Sequence, residues 1–221
     1  MKLFISALTK AVVGLGLMAA LIFAPAGTFA FPGAWRLIAL LFIPMLIIGA
    51  VFMIWDPETL SKRLRSKEER VKQKGVVALS GLLFIVSFVV AGLDFRWGWS
   101  HIPEWVIWVS GGVFLISYGI YAEVMRENKW LSRSIEVMEG QQVVSTGLYG
   151  VVRHPMYMAT IGMFLTMPLI MGSWWAFLVM TPYIPTIIIR IKDEEELLSK
   201  ELPGYEEYMT KVRWRLHQFI W

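Results

Sequence analysis

Residues 156–191 read MYMATIGMFLTMPLIMGSWWAFLVMTPYIPTIIIRI, with Arg190 as the only charged side chain. A helix crosses a bilayer core with roughly 20 apolar residues, so this run of about 36 is too long for one crossing and fits two. Met171-Gly172-Ser173 lies near its middle and is followed by Trp174 and Trp175, a residue type that gathers at membrane–water boundaries. The stretch reads as a helical hairpin that turns at Gly172, with Pro168, Pro182 and Pro185 kinking its arms.

The rest of the chain agrees with a membrane setting. Of 221 residues 57% are hydrophobic and 17% charged, against about 25% charged in soluble domains. Upstream of the hairpin, four more apolar runs stand out: Leu8–Ala24, Trp35–Trp55, Gly75–Leu93 and Glu104–Val124. The expected fold class is therefore all-α, a polytopic membrane helical bundle of about six spans whose last two form the hairpin. Two regions follow from this: residues 1–125 with spans one to four, and residues 126–221 with the hairpin and a polar tail.

Lys/Arg distribution sets the expected orientation. The connections at 25–34, 94–103 and 171–175 contain only Arg96, whereas 56–74, 125–155 and 192–221 hold nearly all the remaining basic residues outside the spans. These three segments are expected on the cytoplasmic side. Lys2, the first apolar run and Thr28-Phe29-Ala30 also resemble a cleavable signal, but the run is long for one and is expected to be retained.

Absent residue types narrow the chemistry. The chain has no cysteine and three histidines, His101, His154 and His217, so thiolate nucleophiles are excluded and a metal centre is not expected. The net charge of +4 reads as loop charge that sets topology and not as a nucleic-acid surface. Gly14-Leu15-Gly16 lies inside an apolar span and follows no strand, so it is not a dinucleotide fingerprint. Transporters place polar groups at mid-membrane, and these spans carry Arg36, Glu104 and Arg190 only near their ends.

Three polar features fall on the expected cytoplasmic side. The first is the stretch from Ser145 to Tyr157, where Gly147 and Gly150 allow close backbone approach. There Arg153 and His154 precede Pro155, a residue suited to the first position of a helix. An Arg–His pair at a helix N-terminus favours an anion; read alone, it is equally a basic interfacial anchor. The second is the run from Arg190 to Glu196, in which Arg190 and Glu194 share a helix face. Read alone, its four consecutive acids are equally a solvated helix surface. The third is Pro203 to Arg215, where Tyr205, Tyr208 and Val212 recur at helical spacing, as in a short amphipathic surface helix.

Taken in order, Gly147-x-Tyr149, Arg153-His154-Pro155-Met156-Tyr157, a hairpin, Arg190-x-x-x-Glu194-Glu195 and Gly204-Tyr205-x-x-Tyr208 resemble the isoprenylcysteine carboxyl methyltransferase family. That family belongs with the phospholipid N-methyltransferases among membrane-embedded methyltransferases. The resemblance covers roughly Gln141 to Arg215, and its most specific part is the Arg-His-Pro-Met-Tyr stretch. It implies S-adenosylmethionine as cofactor, held without a Rossmann domain in a cytoplasmic pocket built by the C-terminal third.

By position, the resemblance implies that Gln141, Gln142, Val143 and Val144 line the cofactor through backbone contacts. Tyr149, His154, Pro155, Met156, Tyr157 and Glu194 complete the wall. It assigns Arg190 to the methyl acceptor, and the candidate catalytic residues are Arg190, Glu194 and Arg153. The acceptor is expected to be lipidic or a small hydrophobic molecule; the other partners are membrane lipids, and no nucleic acid is involved. Leu202-Pro203-Gly204-Tyr205 departs from the family's Phe-Gly-acid-acid-Tyr and is about one residue shorter, so Glu195 shares the assignment of Glu194. Membrane reductases of the sterol-reductase type instead carry Arg-His-x-Asn-Tyr, and here no Asn precedes Tyr157.

Overall fold

In a hydrocarbon environment every backbone polar group must be bonded within its own segment, which leaves the helix as the solution for an apolar run. The computed structural model describes residues 2–57, 61, 71–131 and 135–221 and follows this rule. Among the described residues there are helices and turns and no strand. Most of the charged connection expected at 56–74 lies outside the described residues, including Lys62, Arg63, Arg65, Lys67 and Arg70.

Four long helices come first: α1 (Lys2–Ala26), α2 (Pro32–Trp55), α3 (Val71–Trp97) and α4 (Glu104–Glu127). The hairpin follows as α5 (Pro155–Met171), a turn at Gly172-Ser173, the short α6 (Trp174–Met180) and α7 (Tyr183–Glu201). Gly172 has φ 92°, a left-handed conformation that ends α5, and the Ser173 hydroxyl accepts from the Ala176 N–H at 3.0 Å to start α6. A short α8 (Tyr205–Lys211) closes the C-terminal region.

The hairpin arms are unequal. Among the described residues five segments are long and apolar enough to cross a membrane: Phe4–Ala26, Pro32–Trp55, Gln73–Trp97, Glu104–Glu127 and Trp174–Glu201. The helix α5 has 17 residues, the short end of the range for a crossing at about 1.5 Å per residue, and it runs from one end of the bundle to the other. Helix boundaries also differ from the sequence reading. The helix α3 begins at Val71 and ends at Trp97, so Gln73 and Asp94, both expected in connections, belong to a helix. Side-chain satisfaction explains the extension, because both are buried and hydrogen-bonded within the bundle.

The helix α5 sits among the others and packs most extensively on α4. Its Met163, Met167 and Ile170 meet Phe114 and Tyr118 of α4, Leu37 of α2 and Phe88 of α3 in one core. Small residues let the helices approach. Gly162 of α5 faces the Ser117 hydroxyl of α4, and Gly92 of α3 lies against the Ile22 carbonyl of α1, so a Cβ at either position has no room. The lipid-side surface is apolar: Ile47, Ile54, Trp105, Trp108, Ile116 and Ile189 are all more than half exposed.

The antiparallel order sorts the connections to two ends. One end collects 27–31, 98–103 and the Gly172-Ser173 turn. The other collects the C-termini of α2, α4 and α7, the N-termini of α3 and α5, the 128–154 connection and α8. The described parts of all three Lys/Arg-rich segments, among them 71–74, 125–131, 135–155 and 192–221, lie at this second end.

Candidate functional site

Arg153 and His154 lie where the 128–154 connection enters α5. Pro155 occupies the first turn of that helix, where its missing N–H is no loss. The backbone of both residues pairs with the C-terminal tail, the Arg153 N–H to the Trp214 carbonyl at 2.8 Å and the His154 N–H to the Arg215 carbonyl at 2.9 Å. The Arg153 guanidinium also donates to the Val212 and Arg213 carbonyls at 2.8 and 2.9 Å. Its Nε donates to the Glu195 carboxylate at 2.7 Å. His154 Nε2 lies 3.2 Å from the same oxygen, and Arg215 Nε donates to the other oxygen at 2.7 Å. The anion that Arg153 and His154 hold in this structure is thus the Glu195 carboxylate, supplied by α7.

Tyr149 is set by a second group of contacts. Gly147 has φ 45°, and a Cβ there meets the carboxylate of Glu127 at the end of α4. That carboxylate accepts from the Thr146 hydroxyl at 2.8 Å and the Leu148 N–H at 3.2 Å. The single 3-10 turn Gly147–Gly150 then presents Tyr149, whose hydroxyl accepts from Asn128 Nδ2 at 2.9 Å and whose carbonyl accepts from the Tyr208 hydroxyl at 2.7 Å.

Helix α7 contributes the third group. Arg190 and Glu194, one turn apart, both reach Tyr157 of α5: Arg190 Nε donates to its hydroxyl at 3.0 Å, and that hydroxyl donates to Glu194 at 2.5 Å. Gln73 of α3 joins them, accepting from Arg190 Nη1 at 3.0 Å and donating to Asp193 at 2.6 Å.

These groups surround one cleft at the second end of the bundle. Gln141, Gln142, Val143, Val144, Tyr149, His154, Met156, Tyr157 and Glu194 all line it, as do Arg190 and Arg153. Pro155 and Glu195 do not; they hold the wall from behind. Asn128, Trp130, Tyr205 and Tyr208 also line the cleft. Tyr205 is buried with its hydroxyl lacking any hydrogen-bond partner. Burial first, then the nearby Glu194 and Glu195 carboxylates, push that phenol well above its ordinary range and keep it protonated.

A second, wider cavity of about 430 Å³ adjoins the cleft. It opens between helices and is lined by Val76, Val77, Ser80 and Gly81 of α3, Tyr121 of α4, Thr160 of α5, and Tyr183 and Ile187 of α7. Met156, Tyr157 and Arg190 line both cavities.

The donor set of the cleft suits a cationic nucleoside. Tyrosine faces receive a sulfonium or an adenine, the Glu194 carboxylate pairs with an ammonium, and the non-helical backbone at 141–144 offers N–H and C=O groups. The cleft lies at one end of an apolar, multi-pass helical bundle. Residues 105–203 match the family model of phospholipid methyltransferases, a family that includes isoprenylcysteine carboxyl methyltransferase-like membrane enzymes. Its members transfer methyl groups from S-adenosylmethionine. No curated protein matches the chain. The matched region is placed differently from the resemblance read at Gln141 to Arg215: it begins upstream, taking in α4, and ends before Tyr205.

Proposed function

We propose that the protein methylates a lipidic or small hydrophobic acceptor in the manner of isoprenylcysteine carboxyl methyltransferases, on the cytoplasmic side of its membrane. The observation that carries this reading is the pair of adjoining cavities. One is polar and faces the aqueous end of the bundle; the other is mostly apolar and opens between helices, and Met156, Tyr157 and Arg190 line both. A water-soluble cofactor and a membrane-dissolved acceptor would meet at those three residues. The cytoplasmic assignment rests on the Lys/Arg excess in the segments at that end.

In this reading Gln141–Val144, Tyr149, His154, Met156, Tyr157 and Glu194 hold the cofactor. When bound, the cofactor supplies an electrophilic methyl group on a sulfonium. Arg190, at the junction, holds an anionic acceptor and aims it at the cleft. An acceptor carboxylate is already ionised at neutral pH and requires no base, so alignment and exclusion of water carry the rate. Free space in the cleft is about 90 Å³, below the roughly 300–1,000 Å³ usual for small-molecule sites.

The test is calorimetric titration of the detergent-purified protein with S-adenosylmethionine, with NADPH in parallel. Saturable binding of S-adenosylmethionine that is lost in the His154→Ala/Glu194→Ala double variant supports the site. Labelled methyl transfer into prenylcysteine, fatty acid or phospholipid panels then identifies the acceptor. Unchanged affinity in the double variant removes the cleft from consideration.

A further inference from the structure

Four tyrosines line the cleft, and three have their hydroxyls committed. Tyr157 donates to Glu194 at 2.5 Å, Tyr208 donates to the Tyr149 carbonyl at 2.7 Å, and Tyr149 accepts from Asn128 at 2.9 Å. The fourth, Tyr205, is 4% exposed, and its Oη has no partner. Among the described residues one other buried side-chain atom shares that condition, Arg36 Nε, near the opposite end of the bundle. Buried polar groups without partners cost folding free energy and are rare in native proteins.

The hydroxyl cannot swing away to find a partner. The Tyr205 ring packs with Leu202, Tyr208 and Val212 and against Val143 and Leu198, and its centroid lies 5.6 Å from that of Tyr208. The group is a protonated donor held beside two carboxylates, neither of which it bonds. Those carboxylates disfavour an anionic acceptor at this position, and an ammonium accepts no hydrogen bond. In S-adenosylmethionine this leaves the neutral acceptors of the nucleoside half, the ribose oxygens and adenine ring nitrogens. Tyr205 lines the cleft and not the adjoining groove, which separates it from the methyl acceptor.

We propose that Tyr205 is a cofactor-binding residue whose Oη donates to a neutral oxygen or ring nitrogen in the nucleoside half of S-adenosylmethionine. The proposal rests on the cleft being the cofactor site. It gives the family-matched region, which ends at 203, a further binding residue from outside its boundary.

Tyr205→Phe removes the hydroxyl alone. The experiment titrates the full-length protein with S-adenosylhomocysteine and follows thermal unfolding without ligand. The expected result is a dissociation constant raised about 5- to 15-fold, the loss of one hydrogen bond, with an unliganded Tm that is unchanged or higher because a buried orphan is gone. Analogues lacking the 2′-hydroxyl, the 3′-hydroxyl or single adenine nitrogens locate the partner: the Phe penalty disappears for one of them. Unchanged affinity in Tyr205→Phe overturns the proposal, and so does a penalty that survives with every analogue. A lowered unliganded Tm overturns it too, because the hydroxyl is then structural. If the unaltered protein binds no S-adenosylhomocysteine, the cofactor-site reading itself fails, an outcome distinct from these.

Discussion

At the end of the bundle formed by 94–100 and 172–174, the buried Asp94 carboxylate accepts from the Ser100 N–H at 2.7 Å, the Ser100 hydroxyl at 2.6 Å and the Ser173 hydroxyl. The two serines then serve the backbone of α6, accepting from the N–H groups of Trp174 and Ala176 at 3.0 Å. Each of these groups is answered, and neither the cleft nor the adjoining cavity is lined by them. The other end also buries charge, but there Glu195, Arg153, Tyr157 and Gln73 frame a cleft, and the Tyr205 hydroxyl remains unanswered. A closed polar cluster locks helices together, whereas under the proposed function the open donor beside the cleft awaits a ligand group.

The largest effect that tests this contrast is at Glu195. Removing the carboxylate in Glu195→Ala leaves Arg153, 6% exposed, without its counter-ion and frees Arg215 from its anchor. Breaking a buried pair from one side costs about 3–5 kcal/mol. The expected outcome is a large drop in Tm together with protease sensitivity near Val212–Trp221, because the same network holds the tail. Retained stability would mean that the network is not what holds this end.

Asp94→Ala comes second. It strips three donors of their acceptor at the opposite end, at a cost of about 2–3 kcal/mol. Affinity for S-adenosylhomocysteine is expected to stay within about twofold, since no partner of Asp94 lines the cleft. A marked loss of affinity by calorimetry would show that the two ends are coupled through α5 and break the division between them.

What the sequence disclosed follows the range of the forces involved. The hairpin was legible because hydropathy and a Gly-Ser turn are local signals, and the cleft wall from Gln141 to Tyr157 was legible because it is nearly continuous in sequence. Gln73 was not: it sits between Lys72 and Lys74 and read as part of a charged connection, while its partner Asp193 lies on another helix. Asp94 was placed in a connection for the same reason. Glu194 and Glu195 are adjacent and chemically alike, and only the packing of α7 turns one toward the cleft and the other toward Arg153. Tyr205 and Tyr208 shared a helical spacing but not a role, since one hydroxyl is bonded and its neighbour is not. The unequal arms were not legible, because a 17-residue apolar helix reads in sequence as half of a symmetric hairpin.

Gln73→Leu is expected to act more narrowly. It keeps much of the volume but removes the acceptor for Arg190 and the donor for Asp193, with a stability loss of about 1–2 kcal/mol. Because Gln73 does not line the cleft, cofactor affinity should change less than about threefold. Methyl transfer should fall about tenfold, the cost of a loosened Arg190 at the junction. Equal loss of binding and transfer would place Gln73 in cofactor binding and redraw the boundary between the two cavities.

The smallest effect contrasts the two faces of α8. Tyr205 and Tyr208 are buried on one face, while Glu207 and Lys211 form a 2.7 Å ion pair with both side chains 70% exposed on the other. Exposed pairs of this kind gain little Coulomb energy in water and lose side-chain entropy. Lys211→Ala is expected to leave both Tm and S-adenosylhomocysteine affinity unchanged within measurement, one turn from a tyrosine whose hydroxyl bonds Tyr149. The comparison is sharpest in variable salt: screening should weaken the exposed pair and leave the buried Arg153–Glu195 pair intact. A salt-dependent loss of cofactor affinity in the unaltered protein that Lys211→Ala abolishes would show that the outer face of α8 acts on the cleft, and α8 could no longer be divided into a working face and a solvated one.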